Sequence, residues 1–278
     1  MELRIDHVTL AASRLEAIAS ALAAVGLETV YGGQHSNGAT HMSMLGFEDG
    51  TYLELVSAAR PGLQAPRWND HIVRDLGPCS WAVSPKEVPA EAERLQGLGV
   101  PVDGPYTVTR SRPDGATVEW EVAYVGDHPP GAMHPFLIRD HTPRELRVQV
   151  SPSAAGAGLG GVDGVVLAVE DLDVAGAELR STYGLGASGD VDCSRLGARV
   201  RCFPGSPVNL AQATAGGWLA ERTASVGLSP CAVLLTSVDP ALVRGRVALS
   251  EPEDWFGREV AWLDSDGLRS LNLAVVTD

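Results

Sequence analysis

At 278 residues, 45% hydrophobic and 20% charged, the chain has the size and composition of a globular protein with room for two domains and an ample core, which excludes disorder as its main state. Its 21 basic and 35 acidic residues give a net charge of −14, so nucleic-acid phosphate would be repelled and nucleic acid is not an expected partner. No apolar run approaches the ~20 residues that cross a bilayer, and the charged start Met1 to Asp6 lacks a signal-peptide pattern, so no membrane partner and a cytoplasmic location are expected.

Residues 3–10, LRIDHVTL, have strand character and lead into a helical segment from Arg14 to Val25. Leu15, Ile18, Leu22 and Val25 fall on one face of it, and Gly26 ends it. Strands are predicted over 27–32, 39–47 and 51–57, with a hairpin signal at Glu48-Asp49-Gly50. A weaker copy of this β-α-β-β-β unit starts near Cys79, with a helix from Val88 to Gly97 and strands near 105–110, 116–125 and 134–140. The stretch SPSAAGAGLGG from Ser151 to Gly161 has the composition of a flexible linker.

From residue 162 the grammar repeats. VDGVVLAVEDLDVAGAELRSTYGLG follows the layout of IDHVTLAASRLEAIASALAAVGLE, with Gly164 standing 157 residues after His7 and Asn209 standing 155 after Glu54. A fourth unit runs from near Ser229 to Val276. The expected fold class is α+β: two domains, 1–150 and 162–278, each of two βαβββ modules, joined by a linker at 151–161. The cysteines Cys79, Cys193, Cys202 and Cys231 form no C-x-x-C pair and are expected to be ordinary thiols.

The motifs Asp6-His7-Val8, Gly32-Gly33-Gln34-His35, Gly50-Thr51-Tyr52-Leu53-Glu54-Leu55, Arg110-Ser111-Arg112-Pro113-Asp114-Gly115 and His134-Pro135-Phe136-Leu137-Ile138 follow one another in an order that resembles the vicinal oxygen chelate superfamily, in its glyoxalase-like branch. That resemblance implies curved mixed sheets pairing around a cavity. It also implies His7 and Glu54 as ligands of a divalent ion (Ni, Zn, Mn or Fe) and as the catalytic pair, acting on a small oxygen-rich substrate.

Strand alternation independently turns His7 and Glu54 to one face and Val8, Leu10, Leu53 and Leu55 to the other, under the helix. Ile5 and Thr9 are expected to share the face of His7. The matching positions elsewhere are read as Trp81 and Arg139, and Gly164 and Asn209, none of them a good ligand, so a second ligand pair is missing. His35, His41, His134 and Asp140 are the candidate supplements, but strand alternation sets His41 opposite Thr40 and Met42, away from the cavity, and puts His134 out of phase with Arg139, whereas His35 lies in a loop able to swing in. Arg139 is expected in the cavity, paired with Glu54 or gripping an anionic substrate. The resemblance implies that Arg110 and Arg112, beside the Pro113-Asp114-Gly115 turn, sit near the cavity rim; Arg112 could instead brace that turn through Asp114.

All seven histidines precede residue 142, which places the expected function in the first domain. The expected cavity is lined by His7, Thr9, Thr40, Met42, Tyr52, Glu54, Trp81 and Arg139. Trp68 could cap it, whereas Trp120, Trp218, Trp255 and Trp262 read as core or interface, and His71, His128 and His141 as loop residues. The leading expectation is a metal-assisted lyase or isomerase. The competing one is a metal-free small-molecule binding or sequestration protein, and an extradiol-type dioxygenase is disfavoured because only one clear histidine is offered. A homodimer partner is also expected as a candidate.

Overall fold

The computed structural model describes residues 2–127, 129–186, 189–265 and 267–277; His128, read above as a loop residue, lies outside the described residues. In chain order, the first half runs β1 (Ile5–Ala11), α1 (Leu15–Ala24), β2 (Val30–Gln34), β3 (Thr40–Gly46) and β4 (Tyr52–Ala58), then α2 (Asn69–Val73), β5 (Gly77–Val83), α3 (Val88–Gly97), β6 (Val102–Ser111), β7 (Thr117–Val125) and β8 (Phe136–Asp140). Two short helices follow, α4 (Arg144–Arg147) and α5 (Pro152–Gly156). The second half continues β9 (Leu159–Val169), α6 (Leu172–Tyr183), β10 (Gly189–Cys193), β11 (Ala198–Cys202), β12 (Val208–Ala213), α7 (Trp218–Val226), β13 (Ser229–Ser237), α8 (Pro240–Arg246), β14 (Glu253–Trp255), β15 (Arg258–Trp262) and β16 (Leu273–Thr277).

Four βαβββ modules result, paired into two eight-stranded sheets. The strand orders are β2-β3-β4-β1-β5-β8-β7-β6 and β10-β11-β12-β9-β13-β16-β15-β14, the same topology twice. The outer strands of each module join β1 to β4, β5 to β8, β9 to β12 and β13 to β16 in parallel, while β1 meets β5 and β9 meets β13 antiparallel. The internal repeat is visible in the register itself. Thr9 pairs with Glu54 and Val166 pairs with Asn209, which are the two offsets read from the sequence.

Each helix covers the back of its sheet with the apolar stripe its sequence shows: Leu15, Ile18 and Leu22 of α1 are buried, as are Leu172, Ala175 and Leu179 of α6. These backs meet. Val8, Leu10, Leu53, Leu55 and Trp81 of the first half share one continuous core with Val165, Leu167, Leu210, Val233 and Leu235 of the second. The open, concave face of the second sheet is filled by its own apolar side chains, among them Val166, Val200, Leu234, Trp255, Val260 and Trp262, with Leu219 of α7 packed onto them.

The expected linker at 151–161 is corrected by this packing. Pro152 to Gly156 form α5, Leu159 already starts β9, and Ala154, Ala157 and Leu159 are buried. Ser151 ties the segment to the first half, its N–H donating to the Gly46 carbonyl at 2.9 Å and its hydroxyl to that of Glu28 at 2.8 Å. Small residues here permit close approach rather than looseness. A Cβ at Gly46 would lie 2.2 Å from the Gln149 carbonyl oxygen, a backbone atom that cannot step aside. Gly46→Ala is therefore expected to cost about 1–3 kcal/mol of stability in urea unfolding, the usual penalty of overpacking.

His71, expected as a solvated loop residue, is buried where α2 meets β13, its Nε2 3.4 Å from the Ser229 hydroxyl. Burial, with the nearby Arg222 guanidinium, pushes its imidazole down to about 4 against the weaker pull of Asp70. The unfolded chain takes up this proton near its ordinary value of 6.5 and the folded chain only near 4, so stability falls as pH drops through that window. Urea unfolding is expected to lose about 2–3 kcal/mol between about pH 7 and pH 4.5 from this group, and His71→Gln should lack that loss.

Candidate active site

The parallel pairing of β1 with β4 sets Thr9 beside Glu54 and His7 beside Tyr52, so all four look out from the concave face of the first sheet. Val8, Leu10, Leu53 and Leu55 enter the core behind it. The Thr9 hydroxyl donates to Glu54 Oε2 at 3.1 Å. The β2–β3 loop curls back on itself, the Gly38 N–H donating to the His35 carbonyl and the His35 N–H to that of Thr40, both at 2.9 Å. This turn carries the His35 imidazole over the strands, with Nδ1 2.6 Å from the Thr40 hydroxyl and Nε2 3.3 Å from Glu54 Oε1.

His7 approaches the same carboxylate from the other side, its Nε2 3.9 Å from Glu54 Oε2 and its Nδ1 held by Asp6 at 2.7 Å. Both imidazoles thus have Nδ1 tied to a fixed neighbour and Nε2 turned to Glu54. A histidine oriented in this way presents a defined ring nitrogen to a proton or an ion.

Behind His7 stands a network the sequence reading missed. Arg147 of α4, 3% exposed, donates to both oxygens of Asp6 (3.1 and 2.9 Å), to Asp140 and to the Tyr52 hydroxyl (2.8 Å). Arg144 adds bonds to Asp6 and Asp140. Burial works to raise the Asp6 carboxyl, but Arg147 and the His7 hydrogen bond outweigh it and hold the group well below the usual carboxylate range. Glu54 is governed by the same balance: burial opposes ionisation, and the bond and charge of His35, the charge of His7 and the Thr9 hydroxyl together bring it down to about 2. Tyr52, stacked on His7 with ring centroids 4.6 Å apart, is pushed up chiefly by burial and stays a neutral phenol.

These groups form the polar end of a cavity of about 370 Å³, within the ~300–1,000 Å³ range of small-molecule sites. The opposite wall is apolar and comes from the second module: Val108 on β6, Trp120, Val122 and Tyr124 on β7, Phe136 and Ile138 on β8. The mouth lies between the His35 loop and the segment Pro66-Arg67-Trp68. There Trp68 faces His35 at 5.9 Å and the Arg67 guanidinium lies 3.8 Å over the Tyr124 ring.

Several expected site residues fall elsewhere. Trp81 pairs with Val8, not with His7, so its ring is fully buried in the core behind the sheet; Ser80 lines the cavity instead. Across the β5–β8 pair Ala82 meets Phe136 as His7 meets Tyr52, which makes Ala82 and Ile138 the counterparts of His7 and Glu54. The sequence alignment was one residue out on both strands, and one residue reverses the face. Arg139 accordingly points outward, 42% exposed and 3.2 Å from Glu87.

Arg112 braces its turn, bonding the Leu146 carbonyl at 2.7 Å and Asp114 at 2.8 Å outside the main cavity. Ile5 joins the core because a bulge between Ile5 and His7 breaks the alternation, and the same bulge turns Asp6 toward Arg147. Trp120, expected as core, lines the cavity. Of the supplementary histidines, His41 is turned toward Tyr31, and His134 bonds Tyr183 and Glu178 of the second half.

Thr40, Tyr52, His35, His7 and Glu54 are brought together as expected, and Arg110, which the resemblance sets near the cavity rim, lines the cavity with them. It stands on β6 two residues from the cavity-facing Val108.

Among the described residues no three His, Cys, Asp or Glu side chains form a ready-made metal cage; the two imidazoles engage opposite oxygens of Glu54. Two imidazole nitrogens and one carboxylate are nonetheless a donor set suited to a first-row divalent ion, and an ionised Glu54 requires no deprotonation to bind one. No helix among the described residues is long and apolar enough to cross a membrane.

A family model described as a glyoxalase-like domain matches residues 5–183, which include the whole cavity. No curated protein matches the chain. Among solved structures, a hypothetical protein from Staphylococcus aureus is similar at 12% identity and a TM-score of 0.60, with 99% of each chain covered. A mutant 4-hydroxymandelate synthase from Streptomyces coelicolor is similar at 12% identity and 0.54, over 99% of this chain and 92% of that one. A xylose isomerase-like TIM barrel/4-hydroxyphenylpyruvate dioxygenase fusion protein follows at 13% and 0.56, over 99% of this chain and 49% of that one. These likenesses carry the fold. With its βαβββ modules paired around a cavity and more than half its length matched, the chain belongs to the glyoxalase-like domain family, within the vicinal oxygen chelate superfamily.

Proposed function

We propose that the first half of the chain is a metal-assisted lyase or isomerase acting on a small oxygen-rich substrate. The observation that carries this reading is a buried carboxylate, held down at about 2 between two oriented imidazoles at the polar end of a cavity. A carboxylate so acidic is a weak proton acceptor near neutral pH, where an effective general base titrates near the working pH. It is well suited to hold an ion, so Glu54, His7 Nε2 and His35 Nε2 are assigned as ligands. The ion would supply Lewis-acid polarisation of a substrate oxygen.

Tyr52 has a different task. Its oxygen accepts from Arg147, which leaves its own neutral O–H free to donate to a substrate oxygen. The apolar wall of Trp120, Val122 and Phe136 excludes water from the reacting end. The second histidine removes the ground on which an extradiol-type oxygenase was disfavoured; oxygen uptake with the iron-loaded protein would separate that chemistry from a redox-neutral one.

Dialysis of the full chain against Ni, Zn, Mn and Fe(II), followed by elemental analysis, tests the proposal. About one equivalent of at least one ion is expected per chain, with at least about a tenfold loss of affinity in His35→Ala. Failure of every ion to bind above background in folded protein would overturn it in favour of the metal-free binding protein, the reading that the His35 hydrogen bond to Glu54 and the close approach of His7 favour.

A further inference from the structure

Resting on the reading of this cavity as a substrate site, we infer that Arg110 is an anion subsite and that the substrate is a monocarboxylate with an apolar body. Arg110 is 4% exposed and lines the cavity. Among the described residues it faces no carboxylate within ion-pair distance. Its hydrogen bonds run from Nη1 alone, to the Gly32 carbonyl at 3.0 Å and the Met42 sulfur at 3.4 Å, and its buried Nε has no partner. The other buried arginines among the described residues are satisfied differently: Arg147 by Asp6 and Asp140, Arg222 by the backbone carbonyls of Leu76, Pro78 and Pro230. A desolvated guanidinium with unused donors is costly unless an anion completes it.

The rest of the cavity selects among anions. One guanidinium with its second terminal nitrogen unclaimed offers a charge-assisted donor to a single carboxylate. A phosphate dianion would want a second cation, and Arg147, the other buried guanidinium of the lining, is already engaged by Asp6 and Asp140. From Arg110 the apolar wall continues through Val108, Trp120 and Val122, which suits a flat or branched hydrocarbon body lying between the anion subsite and the His7–Glu54–His35 end. Gly32 is part of the subsite, because a Cβ there would come within 2.9 Å of Arg110 Nη1 and 2.8 Å of the Met42 methyl.

Calorimetric titration of the full chain near neutral pH with phenylacetate, phenethyl alcohol and phenylphosphonate tests this, with and without added zinc. Phenylacetate is expected to bind at least about tenfold tighter than the neutral alcohol and tighter than the phosphonate. Arg110→Gln should bring phenylacetate to the alcohol's affinity. Gly32→Ala, which crowds the guanidinium without removing it, should weaken phenylacetate by about fivefold or more and serves if the first variant does not fold.

Equal binding of acid and alcohol, tighter binding of the phosphonate, or no effect of either variant would overturn the subsite; the last result would put the anion on the exposed Arg67 at the mouth. Loss of phenylacetate binding in His7→Ala would also overturn it, by placing the anion at the metal end. Failure of the metal reading would leave these titrations unchanged, so the two failures are distinguishable.

Discussion

Arg147→Met is expected to lower the stability of the folded chain by about 3–5 kcal/mol, the loss typical of removing one partner from a buried ion pair. Arg147 is 3% exposed and stands between Asp6, whose side chain is fully buried, and Asp140. Without the guanidinium Asp6 keeps only Arg144 and His7 as charge partners, and the Tyr52 hydroxyl loses its donor. Urea unfolding of the wild type and Arg147→Met, with Asp6→Asn and the double variant completing the cycle, checks the expectation. A coupling energy near zero between the two positions would contradict the network described here. The effect should reach the cavity too, since Asp6 fixes His7 Nδ1 and hence the direction of Nε2.

Glu54→Gln is expected to abolish divalent-ion binding and, at the same time, to remove an acid-labile share of stability. The sign follows from the depressed carboxyl. The unfolded chain binds this proton near 4.5 and the folded chain only near 2, so the stabilisation is complete above about pH 4.5 and is lost as pH falls toward 2. The size is about 3 kcal/mol, from about 1.4 kcal/mol per unit of separation. Urea unfolding at a series of pH values should therefore show the wild type losing about 3 kcal/mol more stability than the glutamine variant between about pH 5 and pH 2. At neutral pH the variant should be the less stable, because the imidazoles lose their charged partner. A variant that binds metal like the wild type would remove Glu54 from the ligand set.

The site was legible on one module and misread on the other for the same physical reason. On β1 and β4, alternation is written in large apolar residues under a helix, Val8 and Leu10 against Leu53 and Leu55, so the opposite face carrying His7 and Glu54 could be assigned from the chain alone. On β5 Trp81 is flanked by Ser80 and Ala82, small residues on both sides, and β8 is five residues long. Neither offers a polar–apolar contrast to set the parity, and a slip of one residue sent Trp81 and Arg139 to the wrong face. Ile5 was misplaced by a bulge, which leaves no mark in periodicity.

The buried roles of His71, Arg147 and Arg222 depend on segments meeting from distant parts of the chain. Arg222, for example, donates to carbonyls some 140 residues away, at Leu76 and Pro78, and no local pattern announces that. The small-residue stretch at 151–161 shows the opposite error, composition read as freedom where it serves close packing of the two halves.

X-ray absorption spectroscopy at the metal edge of the nickel- or zinc-loaded chain tests most directly the claim that His7, His35 and Glu54 form one metal centre. The account predicts an N/O shell near ~2.1 Å with the multiple-scattering signature of two imidazoles, reduced to one in His35→Ala. A shell without imidazole, or a spectrum unchanged by that substitution, would contradict it.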